Sequence, residues 1–197
     1  MMSDLVTLGI DPSLTATGYA LIAGGKLLAA GVARTKPSDG SEATRQGIIC
    51  AAVMQAVREC PQAVTLAGIE TQHAQGGDPK TQRARAASAM LVAFVRGGLT
   101  AELRARGIPV VEVTPQAAKV ALTGRGDATK RQMQEMSHQR FGVTLAQDAA
   151  DALGIGLAAE QQVAGRQTQA DPRRHLRLEA TAALPEHVRR CIREANR

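Results

Sequence analysis

Residues 5–11, Leu-Val-Thr-Leu-Gly-Ile-Asp, make a short apolar run that ends in an acid, the pattern of a buried strand. Pro12-Ser13 turns the chain, and residues 17–22 read as a second strand. Gly24-Gly25 supplies the backbone that a tight hairpin needs and leads into a third strand at residues 27–34. From Ser41 to about Arg58 the period becomes helical, with Ile49, Val53, Ala56 and Val57 on one stripe and Pro61 beyond its end. Residues 64–70 form another apolar run that closes on an acid, followed by a polar, glycine-rich loop over residues 71–79.

A long helix is expected over residues 80–106, with Leu91, Val95, Leu99 and Leu103 along its apolar line. Gly97-Gly98 within it would cost about 1 kcal/mol each relative to Ala, which suggests a close helix contact or a local break. Residues 109–113 give a last short strand. Thr114 and Pro115 then suit the cap and first turn of a helix. Residues 123–129 interrupt that helix before another begins near Lys130, and a final helix covers about residues 146–163. These elements predict a mixed α/β domain over residues 1–165. Its first three strands should pair antiparallel and its later ones parallel, because helical crossovers lead to them. After Gly165 the chain holds eight Arg and four acids. This reads as a basic appendage over residues 166–197, with a small helix after Pro185.

With 197 residues, 44% of them hydrophobic, the chain has enough apolar material for one ordinary core. No run of 18 or more apolar residues occurs, so no membrane-spanning helix is expected, and the N-terminus lacks a secretory pattern. Cys50, Cys60 and Cys191 are odd in number and widely spaced, which argues against a disulfide framework or structural zinc and fits a cytoplasmic protein. Tyr19, Phe94 and Phe141 are too few to stack successive bases, so any nucleic-acid binding must rest mainly on charge. The net charge of +6 is compatible with a polyanionic partner.

Four acids carry the candidate chemistry. Asp11 and Glu70 close two apolar strands, where ligands of open α/β sheets gather. Asp148 and Asp151 are three residues apart and share one face of a helix. Without basic partners such acids would raise one another's pKa; with divalent cations among them the constellation becomes favourable. Mg²⁺ takes oxygen ligands and leaves room for a phosphate, so the four would make a cage for two-metal phosphodiester hydrolysis. Each acid also has a plain structural role to offer. Asp11 starts turns readily, and Asp148 suits the first turn of a helix. Glu70 has no turn to make and should be partly buried.

The segments Leu8-Gly9-Ile10-Asp11-Pro12-Ser13, Thr17-Gly18-Tyr19, Gly68-Ile69-Glu70 and Asp148-Ala149-Ala150-Asp151-Ala152-Leu153 resemble the RuvC family of Holliday junction resolvases in order and spacing. Lys119 and Lys130 fall where that family carries basic residues near the scissile strand. The resemblance covers about residues 5–160. It implies an RNase H-like fold with a mixed five-stranded sheet flanked by helices, and a homodimer paired near the helix from Lys80. It also implies Mg²⁺- or Mn²⁺-dependent nicking of two symmetric strands of a four-way DNA junction. Asp11, Glu70, Asp148 and Asp151 would be the metal ligands and, with Lys119, the catalytic set. A branch-migration motor is a further partner compatible with such an activity.

Ser13 stands where many relatives have Gly, and His73 where an aromatic residue commonly wedges into the junction. His stacks on a base more weakly than Phe. Lys119 could stabilise charge building on a phosphate oxygen, and Lys130 could meet a phosphate beside helix N–H groups. Arg83, Arg85, Arg125 and Arg131 would follow phosphates around the pocket, and binding should weaken steeply with salt. His138, His175 and His187 have no ligand-like spacing. The competing readings are a less selective nuclease acting on branched DNA or RNA–DNA hybrids, a DNA-binding relative that has lost catalysis, and an actin-like ATPase. The last needs a second phosphate-binding domain that this length does not accommodate.

Overall fold

The N-terminal strands β1 (Val6–Asp11), β2 (Ala16–Ala23) and β3 (Lys26–Arg34) form an antiparallel meander. Gly24 and Gly25 both have positive φ, 54° and 75°, and pair Ala23 with Lys26 across a two-residue turn. Helix α1 (Glu42–Glu59), capped by Ser41, leads to β4 (Leu66–Glu70), which lies parallel to β1. Helix α2 (Pro79–Ala105) returns the chain to β5 (Val110–Val113), parallel to β4. The sheet order is therefore β3-β2-β1-β4-β5, the mixed arrangement expected from the sequence. Helices α3 (Pro115–Thr123), α4 (Lys130–Phe141) and α5 (Gln147–Thr168) complete the described chain. A single 3-10 turn at Pro37–Asp39 had no counterpart in the sequence pattern.

The computed structural model describes residues 5–71 and 79–168, without the side chains of residues 79–85 and 166–168. His73 and the helix expected after Pro185 lie outside the described residues. The unit that carries the sheet ends at Gln161, and residues from Gln162 onward belong to a second unit.

The two faces of the sheet are packed by different means. On one, Leu8, Ile10, Leu21 and Ile69 meet Ile49 and Val53 of α1 and Val95, Leu99 and Leu103 of α2 in one aliphatic core. Gly98 does not break α2. A Cβ there would stand 2.5 Å from Nε2 of Gln46, so the glycine marks a close crossing with α1. Gln46 donates a hydrogen bond to the Phe94 carbonyl at this crossing, 2.7 Å.

Residues Ala86–Ala105 of α2 have a mean hydropathy of 1.3 and are long enough to cross a bilayer, although no unbroken apolar run exists. What ties α2 to the sheet is its buried line of Val95, Leu99 and Leu103, together with an ion pair from Arg96 to Glu112 of β5 at 3.2 Å. Only 17% of that stretch is buried, which leaves a largely apolar outer face.

Candidate active site

The site begins with a repeated tripeptide in register. Gly9-Ile10-Asp11 on β1 lies beside Gly68-Ile69-Glu70 on β4, with Gly9 opposite Gly68 and Ile10 opposite Ile69. Side chains alternate along a strand, so the isoleucines point into the aliphatic core while Asp11 and Glu70 emerge on the other face. Two acids thus stand on neighbouring strands at the end where both terminate.

The second pair arrives on α5, and glycines decide how closely it comes. An added Cβ would lie 2.0 Å from the Ala152 carbonyl oxygen at Gly9, 1.9 Å from the Asp148 carbonyl oxygen at Gly18, and 2.7 Å from the Ala159 Cβ at Gly68. None of those separations is tolerable, so the helix backbone rests directly on the strands. Gly156 of α5 answers from the helix side, where a Cβ would meet Ile22 Cδ1 at 2.7 Å. This contact holds the first turns of α5, and with them Asp148 and Asp151, over the ends of β1 and β4. On its outer side α5 meets α3 and α4: a Cβ at Gly154 would lie 2.7 Å from the Ala118 carbonyl and 2.9 Å from Met133 Cε.

The electrostatics report the convergence. Burial, followed by Glu70, Asp151 and Asp148, pushes the carboxyl of Asp11 up to about 8, partly opposed by Lys130. Burial and then Asp151 push Glu70 up to about 7, against the pull of Lys130 and Lys119. Asp151 is raised by burial foremost and by Asp148, with both lysines again opposing. Asp11, Glu70 and Asp151 accept no hydrogen bond and join no ion pair among the described residues. Half-buried carboxylates without partners favour a cation.

The expected closed cage is absent, however. Among the described residues no three His, Cys, Asp or Glu side chains gather into a ready-made metal site. The donor set still fits Mg²⁺, which keeps several waters and is commonly held by one or two carboxylates plus substrate phosphate. Arg34, at the end of β3, sits 3.9 Å from Asp148, and the sequence pattern gave no reason to single it out.

The remaining candidates are scattered around this edge. Lys119 is half-buried on α3, and Lys130 is exposed at the first position of α4, behind the Thr129 cap and its reciprocal bond with Gln132. Arg125 forms a two-point pair with Asp127, and Arg131 pairs with Glu135 at 2.6 Å. Such exposed pairs are weak, so either guanidinium is open to exchange its carboxylate for another anion. Arg83 and Arg85 belong to α2, but their side chains, like His73, fall outside the described part of the structure.

Comparison with known proteins agrees with this geometry. The family model for crossover junction endodeoxyribonuclease RuvC matches residues 7–159. The chain is 39% identical over 156 residues to the RuvC of Burkholderia multivorans, covering 76% of this chain and 80% of that one. It is 38% identical to the protein of the same name from Burkholderia ambifaria, over 76% and 79% of the two chains. Among solved structures, Thermus thermophilus RuvC in complex with Holliday junction substrate superposes with a TM-score of 0.67 at 25% identity, over 81% of this chain and 96% of that one. The yeast mitochondrial Holliday junction resolvase Ydc2 shares the fold at a TM-score of 0.54 and 14% identity, over 86% and 83% of the chains. With two glycine-acid strand ends, an acid-bearing helix resting on them and a family match spanning all of these elements, the chain belongs to the RuvC family of crossover junction endodeoxyribonucleases.

Proposed function

We propose that the chain is a structure-selective endonuclease that nicks symmetric strands of four-way DNA junctions, with Asp11, Glu70, Asp148 and Asp151 holding Mg²⁺. The observation that carries this reading is the meeting of acids from β1, β4 and α5 at one edge of the sheet, inside the region the family match spans. Mg²⁺ is the choice because every donor is a hard carboxylate oxygen, a set that suits Mn²⁺ as well. When bound, the ions would activate a water and stabilise the departing oxygen as one P–O bond forms and another breaks.

The chain's own side chains do the rest. Asp11 and Glu70, fixed by strand register, would hold the ions from the sheet, and Asp151 and Asp148 would hold them from α5. Lys119 and Lys130 approach the acids closely enough to lower their pKa values, and the same charges would hold and stabilise a phosphate between them. Arg125 and Arg131 extend the positive rim, contacts that position DNA without reading sequence.

Asp11→Asn and Glu70→Gln should each abolish cleavage of a synthetic four-way junction in Mg²⁺ while leaving junction binding largely intact. Full cleavage by either variant would remove the proposal. Binding and cleavage assays on junction, fork and duplex side by side would separate junction resolution from the less selective alternative.

A homodimer is part of the same proposal, since a junction presents two equivalent strands and two-fold symmetry supplies two equivalent sites. It is supported by the outer face of α2, where Met90 is 73% and Phe94 41% exposed. Such an apolar face is unusual on a lone chain and typical of an interface core. Met90→Glu should shift the mass measured by light scattering from two chains to one. A Met90→Glu variant that stays dimeric would move the interface elsewhere.

A further inference from the structure

Asp148 differs from the other three acids in having an ion-pair partner within 4 Å among the described residues. Arg34 Nη2 stands 3.9 Å from its Oδ2, with side chains 64% and 26% exposed. At that separation no hydrogen bond forms, so the pair is loose. The backbone beneath Arg34 is not. Thr35, the next residue, donates its N–H to the Thr15 carbonyl at 3.0 Å and its hydroxyl to the Leu14 carbonyl. The buried guanidinium of Arg45 donates to Thr35 Oγ1 at 3.0 Å and to the Leu14 carbonyl at 3.3 Å. Leu14 and Thr15 belong to the turn that follows Asp11, itself tightened by Ser13 and Thr17. The root of Arg34 is thereby tied to the strand that carries Asp11, while its tip remains free in solvent.

We propose that Arg34 is an exchangeable counter-ion: it neutralises Asp148 when no divalent ion is bound, and turns to a phosphate of the bound DNA when the ion takes that carboxylate. This rests on the reading that the acids hold a cation. A guanidinium and a divalent ion compete for the same oxygens, and an exposed, loose pair is the weaker contender. The fork of the released guanidinium matches the oxygens of a phosphate. The ion and the DNA thus reinforce each other's binding through one side chain, a coupling that is reciprocal by necessity.

The full chain serves for the test, as wild type, Arg34→Gln and Arg34→Lys, with Asp11→Asn as reference. Titration calorimetry with Mg²⁺ alone should show Arg34→Gln binding the ion about threefold more tightly than wild type, because a competitor has gone. Junction affinity measured across a salt series should then drop by about 0.9 in logarithmic slope for Arg34→Gln when Ca²⁺ is present, as expected when one fewer phosphate is neutralised. In EDTA the slope should stay unchanged, and Arg34→Lys should retain it in both conditions. Equal or weaker Mg²⁺ binding by Arg34→Gln, or the same fall in slope in EDTA as in Ca²⁺, would overturn the exchange. A wild type that takes up no more Mg²⁺ than Asp11→Asn would instead overturn the metal-site reading beneath it.

Discussion

One face of the sheet is held by side chains and the other by their absence. Against α1 and α2 the strands present Leu8, Ile10, Leu21 and Ile69, and the helices answer with Ile49, Val53, Val95, Leu99 and Leu103. Against α5 they present Gly9, Gly18 and Gly68, and the helix comes down onto bare backbone. The first arrangement buries apolar area and tolerates repacking, since aliphatic side chains can shift rotamers to absorb a change of volume. The second fixes distance, because two backbones have nothing to shift. A site whose acids are divided between sheet and helix needs the second kind of contact, and gets its stability from the first.

The hardest way to break this division is to put a methyl group where the helix rests. Gly18→Ala would drive a Cβ into the Asp148 carbonyl, lifting the start of α5 away from β1 and β4. Stability should fall by about 1–3 kcal/mol. Mg²⁺-dependent junction cleavage, measured on protein confirmed as folded, should drop about a hundredfold or more, because displacements of about 1 Å cost that much.

A gentler probe works through the charges stored on the α5 face. In the metal-free protein Asp11 at about 8 and Glu70 at about 7 hold protons that the unfolded chain, at 3.8 and 4.5, has already released. Between those limits the folded state binds more protons than the unfolded one. Metal-free stability should therefore fall as pH rises from about 4 to about 8. A divalent ion held by the deprotonated acids, as proposed, should restore the loss. Saturating Mg²⁺ should raise Tm by about 5–10 °C at pH 8 and by clearly less at pH 5, read by thermal denaturation. Equal shifts at both pH values would separate the ion from these carboxylates.

The smallest effect belongs to the other face. Gly47 is exposed in the middle of α1, with nothing within 4 Å of an added Cβ. Gly47→Ala should stabilise the fold by about 0.5–1 kcal/mol in denaturant titration and leave cleavage unchanged. The same chemical change thus has opposite consequences at Gly18 and Gly47, which is the comparison in its sharpest form.

Much of this was legible from local pattern. The hairpin at Gly24-Gly25, the helix starts at Thr114 and near Lys130 and the two acid-closed strands depend on short-range backbone preferences and alternation, which neighbouring residues determine. The four acids stood out because their positions at strand ends and on one helix face follow from the same periodicities. The glycines that seat α5 were less readable. Gly9, Gly18 and Gly68 sit in strands where a glycine weakens the element, and nothing nearby in sequence says what lies above them. The duplication of Gly-Ile before Asp11 and Glu70 was the available signal, and parallel register is what gives it meaning. Arg34 was invisible for a similar reason, being one basic residue among 24 until the fold brings it beside Asp148.

By itself the sequence determined which segments become strands and helices, where they begin, and which residue types stand at their ends, since those are matters of torsional preference and of period two against period 3.6. Only the tertiary structure decided that Asp11, Glu70, Asp148 and Asp151 share one edge, that Arg34 shadows one of them, and that no closed metal cage is preformed among the described residues. Separations of a few ångströms between segments more than a hundred residues apart are set by packing across the sheet, and no local preference encodes them.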